Sequence, residues 1–136
     1  MRFLITFLAA GALGAAAVVA APGQRPDRGP DRAEAAYAKL LAGKTPGKEE
    51  ACIDTRFTKP QLSAHGTRLL YRVSDRLVYV SETGGGCENV ARGDAMVTRQ
   101  FQTRLCRGDI AQTVDLPTRM PTGSCALGGF VPYRSK

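Results

Sequence analysis

The stretch TRLLYRVSDRLVYVSET, residues 67–83, decides the fold. It holds two runs rich in β-branched and aromatic residues, separated by the polar pair Ser74-Asp75. Leu69, Tyr71 and Val73 fall on one side of the first run, and Leu77 and Tyr79 follow after the polar pair, which is typical of two antiparallel strands joined by a tight turn. The stretch therefore predicts a β-hairpin.

Three later stretches repeat this strand character. AMVTRQF (95–101), IAQTVD (110–115) and CALGGFVPY (125–133) are short, and Gly or Pro separates them. Short strands at near-regular spacing indicate a small antiparallel sheet curled into a barrel or a sandwich. The fold class predicted is mainly β, with one short N-terminal helix and two disulfides.

The predicted helix covers residues 31–43. Asp31 is placed to cap it, Glu34 to complete the reciprocal capping box, and Gly43 to end it. One face of this helix is apolar, and we expect it to dock against the β domain; binding of a partner is the alternative. That face holds Ala33, Tyr37, Leu40 and Leu41.

The first residues have the pattern of a secretory signal peptide. Arg2 precedes an apolar or small run over residues 3–21, and such a run behind a cation marks an exported chain. We expect cleavage after Ala20, with Ala17 as another site and an uncleaved anchor as the alternative. The mature protein is then periplasmic or secreted, with no integral membrane span.

A tether follows, because residues 21–30 (APGQRPDRGP) hold three prolines and two glycines. The predicted division of the chain is a signal peptide over 1–20, a flexible tether over 21–30, a helix over 31–43, a loop over 44–51 and a disulfide-linked β domain over 52–136.

Four cysteines lie beyond the signal, and an even number in an exported chain predicts two disulfides. Zinc binding would require closer pairs, such as C-x-x-C. Three pairings are possible. We expect Cys87–Cys106 to link neighbouring strands and Cys52–Cys125 to join the ends of the domain, each contributing roughly 3–4 kcal/mol.

The formal net charge is +7, and it falls to +6 when Arg2 is removed. The cations are scattered, with no run of five, so we expect no nucleic-acid partner. A surplus of this size favours weak attraction to anionic lipid or glycan, or serves solubility alone. The absence of Trp and the few other aromatic residues argue against a stacking surface for bases or sugars.

The tripeptide Arg-Gly-Asp occurs twice, in CENVARGDAM (87–96) and in LCRGDIAQTV (105–114). Gly-Asp is a turn signal, and a strand pattern follows each copy at once. We therefore predict two turns in which glycine takes positive φ and the aspartate bonds nearby backbone amides. Recognition by an adhesion receptor is the alternative.

His65 is the single histidine, so a catalytic zinc site is not expected, and no cofactor motif is present. A small hydrolase would need His65 beside Ser63 or Ser81 and beside Asp54 or Asp109. No G-x-S-x-G motif supports that arrangement. We interpret His65 as a surface residue next to a turn.

The cysteine segments LCRGDI, GSCALGGFVPY, CID and GGGCENV together resemble an uncharacterised family of small exported proteobacterial proteins. The resemblance covers roughly residues 41–133 and rests on the LCxGD and CxLGxFxP patterns. It implies export and one compact domain whose cysteines matter, and it implies no activity or catalytic residue.

The sequence therefore predicts a non-enzymatic binding or envelope-associated module, with inhibition of a secreted hydrolase as one form. The alternatives are a hydrolase using His65 and an electrostatic binder of anionic lipid or glycan. The partner would be an envelope protein or an anionic envelope component, and the oligomeric state is left open. GGGCENV lacks the Lys-Ser/Thr of a phosphate loop, which favours a flexible turn. The candidate binding residues, all in loops, are Gly84, Gly85, Gly86, Glu88, Arg92, Asp94, Arg107 and Asp109.

Overall fold

The computed structural model describes residues 30–56, 60–100 and 103–136. The predicted signal peptide lies outside these residues, and so does the tether up to residue 29. The elements are the helix α1 (Pro30–Leu41), a 3-10 helix (Glu88–Arg92) and the strands β1 (Thr45–Pro46), β2 (Cys52–Asp54), β3 (Gln61–His65), β4 (Arg68–Ser74), β5 (Leu77–Glu82), β6 (Ala95–Thr98), β7 (Arg104–Cys106), β8 (Ile110–Val114), β9 (Pro121–Ala126) and β10 (Phe130–Arg134).

The strands form three antiparallel sheets. The largest has the order β1-β10-β5-β4-β3, the second has the order β6-β8-β9, and the third pairs β2 with β7. The predicted hairpin is confirmed as β4 and β5, whose register places Leu70 opposite Val80. The barrel alternative is wrong, because the ladders among the described residues remain three separate sheets.

One buried cluster draws residues from all three sheets. Leu69 and Tyr71 come from the five-stranded sheet, Ile53 and Leu105 from the two-stranded sheet, and Ala111 from the three-stranded sheet. The rings of Tyr71 and the fully buried Phe130 meet edge to face, with their centroids 5.6 Å apart. Apolar burial shared in this way is the main force that holds separate sheets together.

The helix covers the opposite face of the five-stranded sheet, so the expectation that it docks on the domain is confirmed. Tyr37, Leu40 and Leu41 pack against a second buried cluster. A sheet covered on both faces accounts for the nearly continuous apolar runs of β4 and β5. The cluster beneath the helix is Leu70, Val78 and Val80, with Tyr133 beside it.

The helix differs in detail from its prediction. It begins at Pro30 and ends at Leu41, and Gly43 follows with φ +70°. Glu34 forms an ion pair with Arg68, whose guanidinium lies 3.9 Å from the centroid of the Tyr37 ring. The side chain of Asp31 is not among those that the structure describes, so the cap expected from it stays a prediction.

Residues 44–51 are not only a loop. Thr45 and Pro46 pair with β10, and Glu50 forms an isolated bridge with Phe130. Hydrogen bonds from the amides of Gly47 and Glu50 to β10 hold this segment on the sheet, with N···O distances of 2.7 and 2.8 Å. The segment therefore belongs to the β domain, which begins before residue 52.

The structure confirms two disulfides but shows that the expected pairing is wrong. The bonds are Cys52–Cys106 and Cys87–Cys125, not Cys87–Cys106 and Cys52–Cys125. The reason is strand order: β2 pairs with β7, and this places Cys52 directly opposite Cys106. Cys87 lies against β9, which carries Cys125. In the part of the chain that the structure describes, no helix is long and apolar enough to cross a membrane.

Candidate functional site

The Gly84–Gly86 loop, interpreted from the sequence as a flexible turn, is tied to the rest of the domain by hydrogen bonds. The Thr83 hydroxyl donates to the carbonyl of Thr67 at 2.7 Å, and the amide of Gly86 donates to Glu88 Oε2 at 2.9 Å. A Cβ on Gly86 would lie 2.0 Å from the carbonyl oxygen of Ser124. The candidate carboxylate of Glu88 is therefore occupied by its own loop.

The first Arg-Gly-Asp copy is a turn, as predicted. Gly93 has φ +104° and ends the 3-10 helix, where its amide donates to the carbonyls of Asn89 and Val90. The Asp94 carboxylate accepts a hydrogen bond from the Thr122 hydroxyl rather than from a backbone amide. This copy joins the 3-10 helix to β6 and anchors it on β9.

The second copy is also a turn, and here the predicted aspartate contact is confirmed. Gly108 has φ +88°, and Asp109 Oδ2 accepts the amide of Cys106 at 2.7 Å. The Arg107 guanidinium forms an ion pair with Glu49. The arginine and the aspartate of this copy are both used in local structure.

The two copies do not come together into one site. Asp94 contacts Thr122, whereas the amide of Gly108 donates to the carbonyl of Leu127 at 2.8 Å. These contacts lie five residues apart along β9 and the residue that follows it, which corresponds to about 16 Å of extended chain. The predicted loop residues therefore form two separate clusters.

His65 lies at the end of β3, next to the helix. Its ring centroid is 6.2 Å from that of Tyr37, and its carbonyl accepts Arg68 Nε at 3.4 Å. A cavity of about 480 Å³ is lined by both polar and apolar side chains of β3, β4, β5 and α1, with Ser63 among them, and His65 is not one of its lining residues.

The other residues of the hydrolase alternative are engaged elsewhere. Ser81 is fully buried and its hydroxyl donates to the carbonyl of Gly128 at 3.2 Å. Asp54 forms an ion pair with Arg56, and Asp109 binds the amide of Cys106. Because a triad needs its acid to orient the base, these contacts do not support a triad at His65.

A surface that the sequence did not single out is the exposed side of the three-stranded sheet. The register places alternate residues on this side, and each of them is uncharged. Met96 points the other way, into the core, where its sulfur accepts the Tyr71 hydroxyl at 3.9 Å. We call the exposed side the outer face and define it as Ala95, Val97, Ile110, Gln112, Val114, Ser124 and Ala126.

The exposed large apolar side chains of the described residues all belong to this sheet or to its β8–β9 loop. Val97 and Ile110 lie on the outer face with relative exposures of 50% and 56%. Leu116 and Met120 lie in the loop with exposures of 63% and 62%. Single exposed apolar residues are normal, but here one sheet and its loop carry all four, with Ile110 at one end of β8 and the loop beyond the other end.

The β8–β9 loop, residues 115–120, is ordered by Asp115, and we call it the tip loop. Its carboxylate accepts the Thr118 amide at 3.0 Å and the Thr118 hydroxyl at 2.5 Å. Hydrogen bonds from Thr118, aided by the charge of Arg92, hold the pKa of Asp115 below its ordinary value. Arg119 takes the left-handed conformation with φ +58°. The loop thus presents its two apolar side chains from a fixed backbone.

Replacing Asp115 with Ala should loosen the tip loop. The amide and the hydroxyl of Thr118 lose their shared acceptor, Asp115 Oδ2, so we expect the amide to exchange faster by NMR while the unfolding midpoint stays nearly unchanged. The pKa of Asp115 is lower in the folded protein than in the unfolded chain. The carboxylate therefore holds the tip loop at neutral pH, and this local stabilisation is lost as the pH falls below about 3.8 and through the folded pKa. The control is Asp75→Ala, in the turn of the other sheet. Equal exchange at Thr118 in wild type and Asp115→Ala would contradict the role of Asp115.

The border of the outer face carries charges of both signs. Its carboxylates, Asp94, Asp109 and Asp115, each accept a hydrogen bond from the protein itself. Arg107 is paired with Glu49, whereas Arg99 and Arg119 form no ion pair within the described ranges. An uncharged surface with free guanidinium groups at its border suits a partner that is apolar at its centre and acidic around it.

The described ranges contain no group of three or more His, Cys, Asp or Glu side chains that could hold a metal ion. Comparison of the chain with protein-family models, with curated proteins and with solved structures gives no match. The resemblance to an exported proteobacterial family stays a prediction. The outer face and the tip loop therefore form the candidate site.

Proposed function

We propose that this protein is an exported, non-enzymatic binding module that uses the outer face and the tip loop to hold another protein. The observation that carries the proposal is the grouping of Val97, Ile110, Leu116 and Met120 on one sheet and its loop. The partner is a protein with an apolar contact area bordered by acidic side chains, because uncharged residues of the outer face lie next to unpaired arginines.

The fold proposed for this module is a sandwich. The five-stranded and three-stranded sheets enclose the shared core, and α1 covers the far side of the larger sheet. The helix therefore removes one sheet face from solvent, whereas the opposite side of the protein keeps its apolar residues exposed. This asymmetry supports a binding role for the outer face.

The location proposed is periplasmic or extracellular. Two disulfides support it, because such bonds form and persist in oxidising compartments. The predicted signal peptide adds a second reason from sequence alone.

Inhibition of a secreted hydrolase is the more specific form of this proposal, and the tip loop favours it. Leu116 and Met120 project from a loop that Asp115 and Thr118 fix by hydrogen bonds. A loop already held in its bound conformation loses less entropy when it enters a cleft. The loops first considered, at residues 84–94 and 107–109, remain secondary candidates.

Photo-crosslinking in cells tests the proposal. A photoreactive amino acid replaces Ile110 on the outer face or, as a matched control, the exposed Gln61 on β3 of the other sheet. We expect a protein adduct from position 110, formed also in high salt, and none from position 61. An adduct from position 61 alone would contradict the proposal.

Two further measurements distinguish the protein-binding module from the electrostatic binder and from the hydrolase. Capture of lipid or glycan that disappears at high salt would favour the electrostatic binder, since screening weakens contacts between exposed charges. The His65→Ala variant should keep its protein adduct at position 110. Loss of a measured turnover in that variant would favour the hydrolase instead.

A further inference from the structure

The three-stranded sheet has one open edge. In the order β6-β8-β9, β6 and β9 are the edge strands. The edge of β9 is covered, because the Thr122 carbonyl accepts Asn89 Nδ2 at 2.9 Å and Ser124 contacts Gly86 closely. β6 pairs with β8 on one side and with no strand of the described chain on the other.

The ladder identifies the backbone groups that face this edge. The amide of Leu127 donates to the carbonyl of Asp109 at 3.0 Å, and in an antiparallel ladder the hydrogen-bonding direction alternates from residue to residue. Ala111 and Thr113 therefore bond to β9, whereas Gln112 and Val114 bond to β6.

The same alternation extends to β6 itself. Ala95 lies opposite Val114 and Val97 lies opposite Gln112, so these two residues of β6 bond to β8. The N–H and C=O groups of Met96 and Thr98 then face the open edge. Four backbone groups in one row are a template for another strand.

This edge is short, at four residues, but it lacks the other features by which proteins usually prevent strand addition. β6 contains no proline and no charged residue, and its register with β8 shows no bulge. Exposed edges are normally protected by one of these devices. An edge without them suits a partner that binds by adding a strand.

Charge selects among the possible occupants. Arg99 follows β6 directly and forms no ion pair within the described ranges. A second copy would bring another Arg99 to this edge and so add to its positive charge. An acidic strand would instead be attracted.

From this geometry we infer that β6 is the acceptor edge for an extended, acidic segment of the partner protein. The segment pairs with the backbone of Met96 and Thr98, its apolar side chains extend the outer face beside Val97, and a carboxylate lies near Arg99. The inference rests on the proposed function and adds to it the way in which the partner is recognised.

The test uses the full chain and a synthetic peptide of alternating valine and threonine with glutamate at both ends. We expect the amide signals of Met96 and Thr98 to shift on titration and their hydrogen exchange to slow. A peptide with lysine at both ends should bind at least tenfold more weakly, as should one whose valines are N-methylated. Equal binding of the three peptides, or shifts confined to another part of the protein, would overturn the inference.

Two variants make the test specific. Thr98→Pro removes an edge-facing N–H while the pairing of Val97 with Gln112 remains, so the glutamate peptide should no longer bind. Arg99→Glu introduces no proline, so it tests the role of charge separately from any effect of Thr98→Pro on folding. It should reverse the preference between the glutamate and lysine peptides. An unchanged preference would contradict the role of charge.

A result that contradicts strand addition at β6 can be told apart from one that contradicts the proposed binding function. A protein partner that crosslinks at position 110 and binds Thr98→Pro as well as wild type would overturn strand addition alone. A dimer in sedimentation that Thr98→Pro abolishes would show that the occupant is a second copy, which contradicts the acidic partner.

Discussion

The Gly86→Ala variant is expected to unfold with a free energy about 3 kcal/mol lower than that of wild type. Two costs add: an L-residue is strained at φ +99°, and its Cβ would lie 2.0 Å from the carbonyl oxygen of Ser124. The obstacle is backbone of β9, so no side-chain rotation relieves it. Guanidinium unfolding at neutral pH measures the difference.

The matched control is Gly93→Ala. Gly93 has a similar φ, +104°, but a Cβ there meets nothing within 4 Å. Only the backbone strain applies, so we expect a loss of about 1 kcal/mol. Equal losses in the two variants would show that the Gly86 loop does not approach β9 as closely as described.

Removing the Cys87–Cys125 disulfide should lower the free energy of unfolding by about 4 kcal/mol. The bond closes 38 residues of sequence, and the chain-entropy relation gives a cost of that size for such a loop. The double variant Cys87→Ala/Cys125→Ala, studied by guanidinium unfolding, measures it. Both cysteines are buried, so replacing them with alanine also removes packing contacts and adds to the loss of stability.

A second double variant tests the pairing itself. Cys87→Ala/Cys106→Ala removes one partner from each bond, so it should lose about twice as much stability as Cys87→Ala/Cys125→Ala. Peptide mapping of the wild-type protein under non-reducing conditions should join the peptide of Cys52 to that of Cys106. A linked pair of Cys87 and Cys106 peptides, together with the smaller loss in the second variant, would contradict the observed connectivity.

Local signals in the sequence were sufficient for the elements of the fold. The hairpin over 67–83 follows from alternation and a polar turn, and both lie within one short stretch. The end of α1 near Gly43 and the positive φ of Gly93 and Gly108 also depend on neighbouring residues alone.

The features that the sequence missed depend on contacts between distant residues. The disulfides were paired wrongly because the pairing of β2 with β7 joins residues 54 positions apart. The Gly84–Gly86 loop was interpreted as flexible because its close contact with Ser124 cannot be seen in GGGCENV. The stretch 44–51 was expected to be a loop because its partner, β10, lies at the other end of the chain.

The outer face was missed for a different reason. Ile110, Gln112 and Val114 alternate with Ala111 and Thr113, and this pattern alone does not say which side is buried. The structure places Ala111 and Thr113 inside, where both are fully buried. Ile110 and Val114 are thereby left on the outer side, which the sequence alone does not show.

The measurement that tests the central claim most directly is the affinity of the crosslinked partner, once purified, for Ile110→Asp and Gln61→Asp by titration calorimetry. Both sites are exposed, so the two variants gain the same charge with little change in folding. We predict that Ile110→Asp weakens binding about 30-fold or more, as expected when charge enters the centre of an interface, and that Gln61→Asp binds like wild type. Unchanged affinity of Ile110→Asp would contradict the assignment of the outer face as the binding surface.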